Sequence, residues 1–400
     1  MSDPKESKLT DQSYLCHDER DGEHHGAVVP PIYQNTLFVF KDWDGIDEGF
    51  EHVRDRYVYS RLLNPTVEAA EEKIAHIAHG EKAKLYASGM AAISAAVMTC
   101  MGVGDHMITI KSLYGPANSY IGSYLKEKSG ITTTYVDGDD VEEIRAAITD
   151  KTRLIYLESP SSMLFKLQDL AAISLLAKAH NIKTIIDNTW ASPIFQKPLD
   201  LGIDIEVHSV SKYLCGHSDV IAGVVISSKE IIDDMLMKEH ALLGGKMSPF
   251  EGWLILRSMR TLLLRMKQHE RSAMEVASYL ESHEAVRKVN FPGLPGFPQY
   301  ELGRKQMSGY GGLFSIVLDT DDIADVKVFV NALRLFQIGV SWGGHESLVY
   351  APVISYKREL TPEQYKAFGL DTGLVRLSIG LESSTDLIAD LSNAFRKLRG

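Results

Sequence analysis

The sequence predicts an α/β protein whose mostly parallel sheet is covered by helices on both faces. Short apolar runs alternate with helical stretches over residues 66–226, and this alternation is typical of parallel sheets. The chain of 400 residues is longer than one hydrophobic core usually holds, so we expect more than one domain. Its apolar content of 44% and charged content of 24% are those of a globular protein.

An irregular N-terminal arm is predicted over residues 1–60, because Pro30-Pro31 and the stretch 42–47 break any regular period. A helix follows, with Thr66 as its N-cap and Gly80 as its stop. Its apolar residues at helical spacing are Val67, Ala70, Ile74 and Ile77.

Seven apolar runs are predicted to be strands, with helices between them. The strands are 84–87, 107–110, 132–136, 153–157, 184–186, 203–207 and 220–226, and the helices include 90–101, 141–148 and 170–180. Ligands of parallel sheets gather beyond the carboxyl ends of the strands, so the residues that follow these runs should line one crevice. They are Ser88, Gly89, Tyr114, Glu158, Ser159, Asp187 and 209–212.

The rest of the chain is predicted to form a smaller domain. A charged helical connector over 251–280 is followed by strands near 313–318 and 374–379. The predicted division is therefore an arm over 1–60, an α/β domain with the crevice over 61–255, and a C-terminal α+β domain over 256–400.

Composition excludes several classes of partner. Lys and Arg number 42 against 53 Asp and Glu, and a formal net charge of −11 argues against binding to nucleic acid. No apolar stretch approaches the roughly 20 residues of a membrane span, and residues 1–7 lack the apolar segment of a secretory signal. Three cysteines without Cys-x-x-Cys spacing indicate a reducing compartment. We expect a cytoplasmic protein that binds neither membrane nor nucleic acid.

The segment around Lys212 is the most informative, because this lysine follows an apolar run. A lysine near apolar surface loses solvation in its charged form, so its pKa falls and its neutral amine becomes available. Such an amine can form a Schiff base with a carbonyl cofactor. Taken alone, a lysine after a strand is usually a solvated loop residue, so the prediction depends on its neighbours.

Pyridoxal phosphate (PLP) needs an amine for its aldehyde, an acid for its ring nitrogen and donors for its phosphate. Lys212 supplies the amine, and Asp187 ends the apolar run 184–186 and can keep a ring nitrogen protonated. A helix N-cap is the alternative role for Asp187. Ser209 and Ser211 can supply the donors.

Further groups fit the same cofactor. Ser88-Gly89-Met90 opens a helix after a strand, where free N–H groups favour an anion. Tyr114 can stack on the ring and handle a proton, or simply form the crevice wall. Arg376, inside an apolar strand, can bind a substrate carboxylate or form an internal ion pair. No dinucleotide or Walker-type loop is present, and the histidines at 17, 24 and 25 lack metal-ligand spacing, so no metal site is expected.

Several long motifs, in the same order, resemble those of the PLP-dependent enzymes of Cys/Met metabolism, which include cystathionine γ-synthase, the cystathionine lyases and methionine γ-lyase. The resemblance covers nearly the whole chain. The motifs are Pro30-Pro-Ile-Tyr33, Tyr59-Ser-Arg-Leu-Leu-Asn-Pro-Thr66, Ser88-Gly-Met90, Leu113-Tyr-Gly115, Asp187-Asn-Thr189, Ser209 to Asp219, Phe291-Pro-Gly-Leu-Pro295, Met307-Ser-Gly309, Ser341-Trp-Gly-Gly344 and Arg376 to Glu382.

The resemblance implies PLP fold type I, with a mostly parallel seven-stranded sheet, an N-terminal arm and a smaller C-terminal α+β domain. It implies that Lys212 holds PLP and moves the Cα proton, that Asp187 pairs with the ring nitrogen and that Tyr114 stacks on the ring. The residues that it assigns to the phosphate are Ser88, Gly89, Met90, Ser209 and Ser211, with Tyr59 and Arg61 from a neighbouring subunit. A homotetramer of two active dimers follows.

The substrate implied is a small sulfur amino acid. Arg376 with Ser341 would hold its carboxylate, and Trp342 and Val340 would lie beside it. Ser162 stands where many members have Asn, which puts one contact to the ring oxygen in question, whereas Ser211 in place of Thr keeps the hydroxyl.

The motifs 187–190, 158–162 and 341–344 resemble cystathionine β-lyases most, although Val340 is closer to methionine γ-lyases. Pro116 stands where those γ-lyases have a reactive cysteine. We therefore expect α,β-elimination of L-cystathionine to homocysteine, pyruvate and ammonia. The alternatives are γ-elimination or γ-replacement by the same kind of site, or a PLP-fold protein that only binds.

Overall fold

The computed structural model describes residues 9–17, 24–355 and 370–398, so residues 1–8 and 18–23 of the predicted arm lie outside the described residues. Its larger sheet has seven strands. They are β1 (Lys82–Tyr86), β2 (His106–Ile110), β3 (Thr132–Val136), β4 (Thr152–Glu158), β5 (Lys183–Asp187), β6 (Ile205–Ser209) and β7 (Gly223–Ser227).

The strand order is β1-β7-β6-β5-β4-β2-β3. Strand β7 is antiparallel to both of its neighbours, whereas every other adjacent pair is parallel. All residues of β2 and β7 are buried, as expected for strands covered on both faces. The predicted mostly parallel seven-stranded sheet is confirmed.

Helices precede and flank this sheet. They are α1 (Asp11–Cys16), α2 (Trp43–Glu51), α3 (Pro65–Ile77), α4 (Gly89–Cys100), α5 (Gly115–Ser119), α6 (Leu125–Ser129), α7 (Val141–Ala146), α8 (Leu170–Ala179), α9 (Ser192–Phe195), α10 (Lys229–Met235), α11 (Ala241–Leu243) and α12 (Pro249–Met259). Short π-helical turns cover Tyr120–Tyr124 and Leu236–His240, and a 3-10 turn covers Pro198–Leu201.

A second sheet of five strands follows. Its strands are β8 (Val286–Asn290), β9 (Leu313–Leu318), β10 (Gln337–Ile338), β11 (Leu348–Tyr350) and β12 (Leu374–Ser378), in the order β10-β11-β12-β9-β8. The helices of this part are α13 (Leu262–Glu281), α14 (Tyr300–Gln306), α15 (Ile323–Ala332) and α16 (Ser384–Leu398). The predicted smaller α+β unit is confirmed. No helix of the described residues is long and apolar enough to cross a membrane.

The predicted connector over 251–280 consists of two helices, α12 and α13. The predicted boundary between residues 255 and 256 falls inside α12. The division into an arm and two domains at these positions remains a prediction.

Two local predictions in the arm and α3 are wrong. The stretch 42–47, predicted to be irregular, begins α2, because the side chain of Asp42 accepts a hydrogen bond from Gly45 N at 2.9 Å. Helix α3 is capped by Asn64 instead of Thr66. Thr66 Oγ1 instead accepts from Tyr33 N at 2.9 Å, which attaches the arm to α3.

The sheet brings the predicted crevice residues to one edge. Strands β1, β2, β4, β5 and β6 run in the same direction, so their carboxyl ends lie together. Glu158 and Asp187 end β4 and β5 and are paired in register. Ser209 ends β6, and the Lys212 segment follows it directly.

Candidate active site

The amine of Lys212 lies where the two parts of the chain meet. Its Nζ donates a hydrogen bond to Ser341 Oγ at 2.7 Å and lies 5.6 Å from the centre of the Trp342 ring. Burial and the positive charge of Arg376 lower the pKa of Lys212 to about 8, against the opposing charge of Asp187. The structure therefore gives this lysine the desolvated environment that its sequence predicts.

A buried arginine fixes the backbone after Lys212. Arg265 of α13 is 6% exposed and donates to Tyr213 O at 2.6 Å and to Ser258 O at 3.0 Å. Gly216 has a φ of +67°, and a Cβ there would lie 1.9 Å from Arg265 Nη1. Nothing in the sequence around Arg265 marks its contact with the Lys212 segment, because the carbonyls of Tyr213 and Leu214 lie about fifty positions earlier in the chain.

Two carboxylates lie side by side at the ends of β4 and β5. Burial and the charge of Asp187 raise the pKa of Glu158 to about 8. Burial also raises the pKa of Asp187, while hydrogen bonds from Thr189 and the charges of His208 and Lys212 oppose that shift. The predicted acid is therefore present, with a second acid beside it.

Glu158 holds two neighbouring segments, although the sequence predicted only that it lines the crevice. Its Oε2 accepts from Tyr114 N at 2.8 Å, and its Oε1 accepts from Ser162 Oγ at 2.5 Å. Ser162 thus contacts Glu158 at the position where many family members have Asn. Glu158 fixes the backbone from which the Tyr114 side chain projects.

The start of α4 forms one wall of a candidate anion site. Ser88 is its N-cap and accepts from Ala91 N at 3.0 Å. The N–H groups of Gly89 and Met90 lie in the first helical turn, where the backbone has no helical acceptor for them.

Ser209 and Ser211 form another wall of this anion site. A Cβ on Gly89 would lie 3.1 Å from Ser209 Oγ, so the helix start and the end of β6 are in close contact. Ser211 Oγ accepts from Ala222 N at 2.9 Å, and the adjacent Gly223 approaches Ser88 so closely that a Cβ would lie 2.3 Å from its carbonyl oxygen. The predicted phosphate residues are therefore brought together, and only glycine leaves them room.

Tyr114 and Arg376 complete the crevice. Tyr114 precedes α5 and is half-buried, and burial with the charges of Asp187 and Glu158 raises its phenol pKa. Arg376 Nη2 donates to Val340 O at 2.7 Å, and its guanidinium lies 5.1 Å from the Tyr350 ring. Val340 itself is 77% exposed.

Tyr59 and Arg61 lie apart from these contacts. Both are exposed, and the Arg61 guanidinium is 5.6 Å from the centre of the Tyr59 ring. Neither side chain forms a hydrogen bond with another residue of the described part of the chain. Their predicted reach into a neighbouring subunit therefore remains a prediction.

The arrangement fits PLP. It offers an amine with a lowered pKa, a buried acid at the end of β5, and a cradle of N–H and hydroxyl groups that a Cβ on Gly89 would crowd. These are the three groups that the cofactor requires.

Known proteins with similar sequences identify the family. The profile of a family described as Cys/Met metabolism PLP-dependent enzyme matches residues 12–396. An L-methionine gamma-lyase from Treponema denticola is 40% identical over 377 residues, which is 94% of each chain. A cystathionine beta-lyase from Coxiella burnetii is 37% identical over 370 residues, 92% of this chain and 93% of that protein.

A solved structure agrees as well. The cystathionine gamma-lyase from Lactobacillus plantarum, complexed with L-serine, matches with a TM-score of 0.90 at 37% identity, covering 98% of this chain and 100% of that one. The chain therefore belongs to the PLP-dependent enzymes of Cys/Met metabolism, and the family, fold type, enzyme class and cofactor predicted from the sequence are confirmed.

Proposed function

We propose that this enzyme is a carbon–sulfur lyase that performs α,β-elimination on L-cystathionine. With one water, the reaction yields homocysteine, pyruvate and ammonia. The observation that carries the proposal is the Lys212 amine, which has a pKa of about 8 and whose Nζ lies 2.7 Å from Ser341 Oγ. The charges of Asp187 and Arg376 both act on this pKa. A base, an acid and a carboxylate-binding cation are thus gathered around one point.

The cofactor-binding roles follow from this placement. Lys212 would hold the PLP aldehyde, and Asp187 would pair with the ring nitrogen. The phosphate would be held by Ser88, Gly89, Met90, Ser209 and Ser211. When bound, PLP accepts the electron pair left at Cα after that carbon loses its proton.

The other steps belong to side chains of the protein. Lys212 removes the Cα proton as a general base, since a pKa of about 8 leaves part of the amine neutral at physiological pH. Arg376, with Ser341, orients the substrate carboxylate. Tyr114, at the crevice wall, would stack on the ring of bound PLP and donate a proton to the departing sulfur. Trp342, in edge contact with Tyr213 at 5.4 Å between ring centres, provides an apolar wall.

The choice of β-elimination rests on the number of proton-handling groups. β-Elimination needs one proton removed from Cα and one delivered to sulfur, and Lys212 and Tyr114 provide these two functions. Residue 116, two positions after Tyr114, is proline and can neither donate nor accept a proton. This supports the β-lyase reaction over one that needs a further acid or base.

A second candidate is γ-elimination from L-methionine. Relatives from Treponema denticola and Porphyromonas gingivalis are L-methionine gamma-lyases at 40% and 41% identity, slightly above the cystathionine beta-lyase of Coxiella burnetii at 37%. The small apolar side chain of Val340 also fits this alternative.

We further propose a homotetramer of two active dimers, located in the cytoplasm. Large apolar side chains are exposed along the arm, which supports a subunit contact there. They are Val28, Leu37, Val39, Trp43 and Phe50. Tyr59 and Arg61 would then complete the phosphate site of the neighbouring subunit.

One incubation tests the reaction. Purified, PLP-loaded protein is given L-cystathionine or L-methionine, and the 2-oxo acid and thiol are identified by mass spectrometry. Pyruvate with homocysteine supports the proposal, whereas 2-oxobutyrate with cysteine, or turnover of methionine alone, assigns the γ-elimination. The Lys212→Ala protein is the control, and product from that variant at the wild-type rate would contradict the role of Lys212.

A further inference from the structure

Glu206 is a fully buried carboxylate in the middle of the larger sheet. It lies in β6, between β5 and β7, with apolar Ile205 and Val207 beside it in the strand. Burial of a carboxylate is costly unless hydrogen bonds and an opposite charge compensate it. A stable fold therefore requires partners for Glu206.

Two partners meet on one oxygen of Glu206. Oε1 accepts from His208 Nε2 at 2.6 Å and from Asn188 Nδ2 at 2.7 Å. Oε2 is buried and has no hydrogen-bond partner in the described part of the chain. Oε1 therefore links the side chains of Asn188 and His208, and solvent cannot compete for either contact because Glu206 is fully buried.

The same contacts reach the predicted ring-nitrogen acid. Asn188 directly follows Asp187, and its backbone N donates to Val207 O at 3.0 Å. Thr189 Oγ1 donates to Asp187 Oδ1 and accepts from Ser209 N at 2.8 Å. The turn 187–189 is therefore held by the side chain of Glu206 and by the backbone of Val207 and of Ser209, but not by His208.

His208 contributes charge instead. The charge of His208 lowers the pKa of Asp187, opposing the effect of burial. His208 is 2% exposed, so solvent screens this interaction little. Glu206 is the only acidic group in hydrogen-bond contact with His208 among the described residues.

We propose that Glu206 is a positioning residue for the cofactor: through its contacts to Asn188 and His208 it holds the turn 187–189, and so holds Asp187 where the ring nitrogen of PLP binds. This inference rests on the proposed role of Asp187. It assigns a function to a buried acid that touches neither cofactor nor substrate.

The variant Glu206→Gln tests the charge. Glutamine has nearly the same shape and can still accept from Asn188 and His208, but it carries no charge. We expect about tenfold weaker binding of PLP to the cofactor-free protein, the effect of losing one charge-assisted contact. We also expect the ¹⁵N resonance of pyridine-labelled PLP, bound to the protein, to move toward that of the unprotonated ring.

A matched control separates this role from simple packing. His106 is another buried histidine of the same sheet, bonded to Thr152 Oγ1 at 2.7 Å and to Thr134 Oγ1 at 2.9 Å. It begins β2, at the edge opposite the site. His106→Asn should lower the melting temperature without moving the ¹⁵N resonance. His208→Gln, which removes the other half of the pair, should reproduce the shift of Glu206→Gln.

Asp187→Asn distinguishes the two proposals. If it leaves the ¹⁵N resonance unchanged, the proposed role of Asp187 is wrong and the inference on Glu206 falls with it. If Asp187→Asn moves the resonance but Glu206→Gln and His208→Gln do not, only the inference on Glu206 is overturned. Should Glu206→Gln fail to fold, His208→Gln alone decides between these outcomes.

Discussion

Two opposite charges act on the amine of Lys212. Arg376 lowers its pKa and Asp187 raises it, while burial brings the pKa to about 8. Because only the neutral amine attacks a carbonyl, these neighbours set the pH at which the cofactor-free protein captures PLP.

Replacement of either neighbour should therefore move this pH in a known direction. In cofactor-free protein, the reactivity of Lys212 with an amine-specific reagent should rise with a midpoint near pH 8. Arg376→Gln should raise the midpoint and Asp187→Asn should lower it, by about one pH unit each. Peptide mass spectrometry measures the labelling, and Lys238, an exposed lysine bonded to Asp234, is the internal control. Shifts of the same sign in both variants would contradict the electrostatic account.

Glu158 should make stability fall as the pH rises. Burial and Asp187 raise its pKa to about 8, so the folded protein holds this proton more tightly than the unfolded chain. The free energy of unfolding that Glu158 contributes is fully present below its pKa of about 4.3 in the unfolded chain. It is lost as the pH rises toward 8. Glu158→Gln keeps an acceptor for Tyr114 N and does not titrate. Urea unfolding of cofactor-free protein between about pH 5 and pH 8 should show a smaller loss of free energy in this variant, and equal losses would contradict the assignment.

The position of Ser88, Tyr114, Glu158, Asp187 and Ser209 at one edge of the sheet could be predicted because each follows or ends an apolar run, and parallel strands bring such positions to one edge. Their supporting contacts could not. Arg265 binds the carbonyls of Tyr213 and Leu214, about fifty positions earlier in the chain, and Glu206 is an acid within an apolar run. Such contacts depend on tertiary packing, and a single sequence carries no periodic signal for them.

At the scale of elements, competition for backbone groups explains the errors in the predicted boundaries. The last predicted strand of the larger sheet began at residue 220, but β7 begins at Gly223. Ala222 N donates to Ser211 Oγ and Ala222 O accepts from Ser211 N, so this backbone pairs with the Lys212 segment. The cap of α3 was misassigned for a similar reason, since Thr66 bonds to the arm.

The contact between α13 and the Lys212 segment leads to a third prediction. Gly216→Ala must displace Arg265, which holds three carbonyl groups, and must also accept a φ of +67°. We expect a loss of at least about 3 kcal/mol in the free energy of unfolding, with weaker PLP binding. Gly244→Ala is the control, because its φ is +75° but no atom lies within 4 Å of the new Cβ. Urea unfolding should show a loss of only about 1 kcal/mol there, and equal losses would exclude a role for the Arg265 contact.

At the scale of the whole molecule, the arm links the active site to the proposed subunit contact. It is attached to the start of α3 through Tyr33 N and Thr66 and through Asn64 Nδ2 and Tyr33 O, so the middle of the arm is fixed beside the larger sheet. The Arg61 side chain, farther along, forms no hydrogen bond in the described part of the chain and is exposed. A phosphate in a neighbouring subunit would provide the anion that such an arginine usually binds.

Complementation between two inactive chains tests this shared site. Lys212→Ala removes the base from its own site, and Arg61→Ala removes the arginine from the site of the neighbour. In a mixed dimer, the site with an intact Lys212 receives an intact Arg61 from the other chain. Random assembly of equal amounts of both chains should therefore restore about a quarter of wild-type activity, because half of the sites retain Lys212 and half of those receive Arg61.

A site formed by one chain alone would give a different result, because mixing the two variants would then restore no activity. Co-expression of the two chains and assay at equal total protein measures this, with each variant expressed alone as the control. Activity equal to the average of the two single variants would mean that Arg61 acts within its own chain or not at all. Restored activity would show that Arg61, directly after the arm, completes the site across the subunit contact, and that dissociation of the dimer abolishes catalysis.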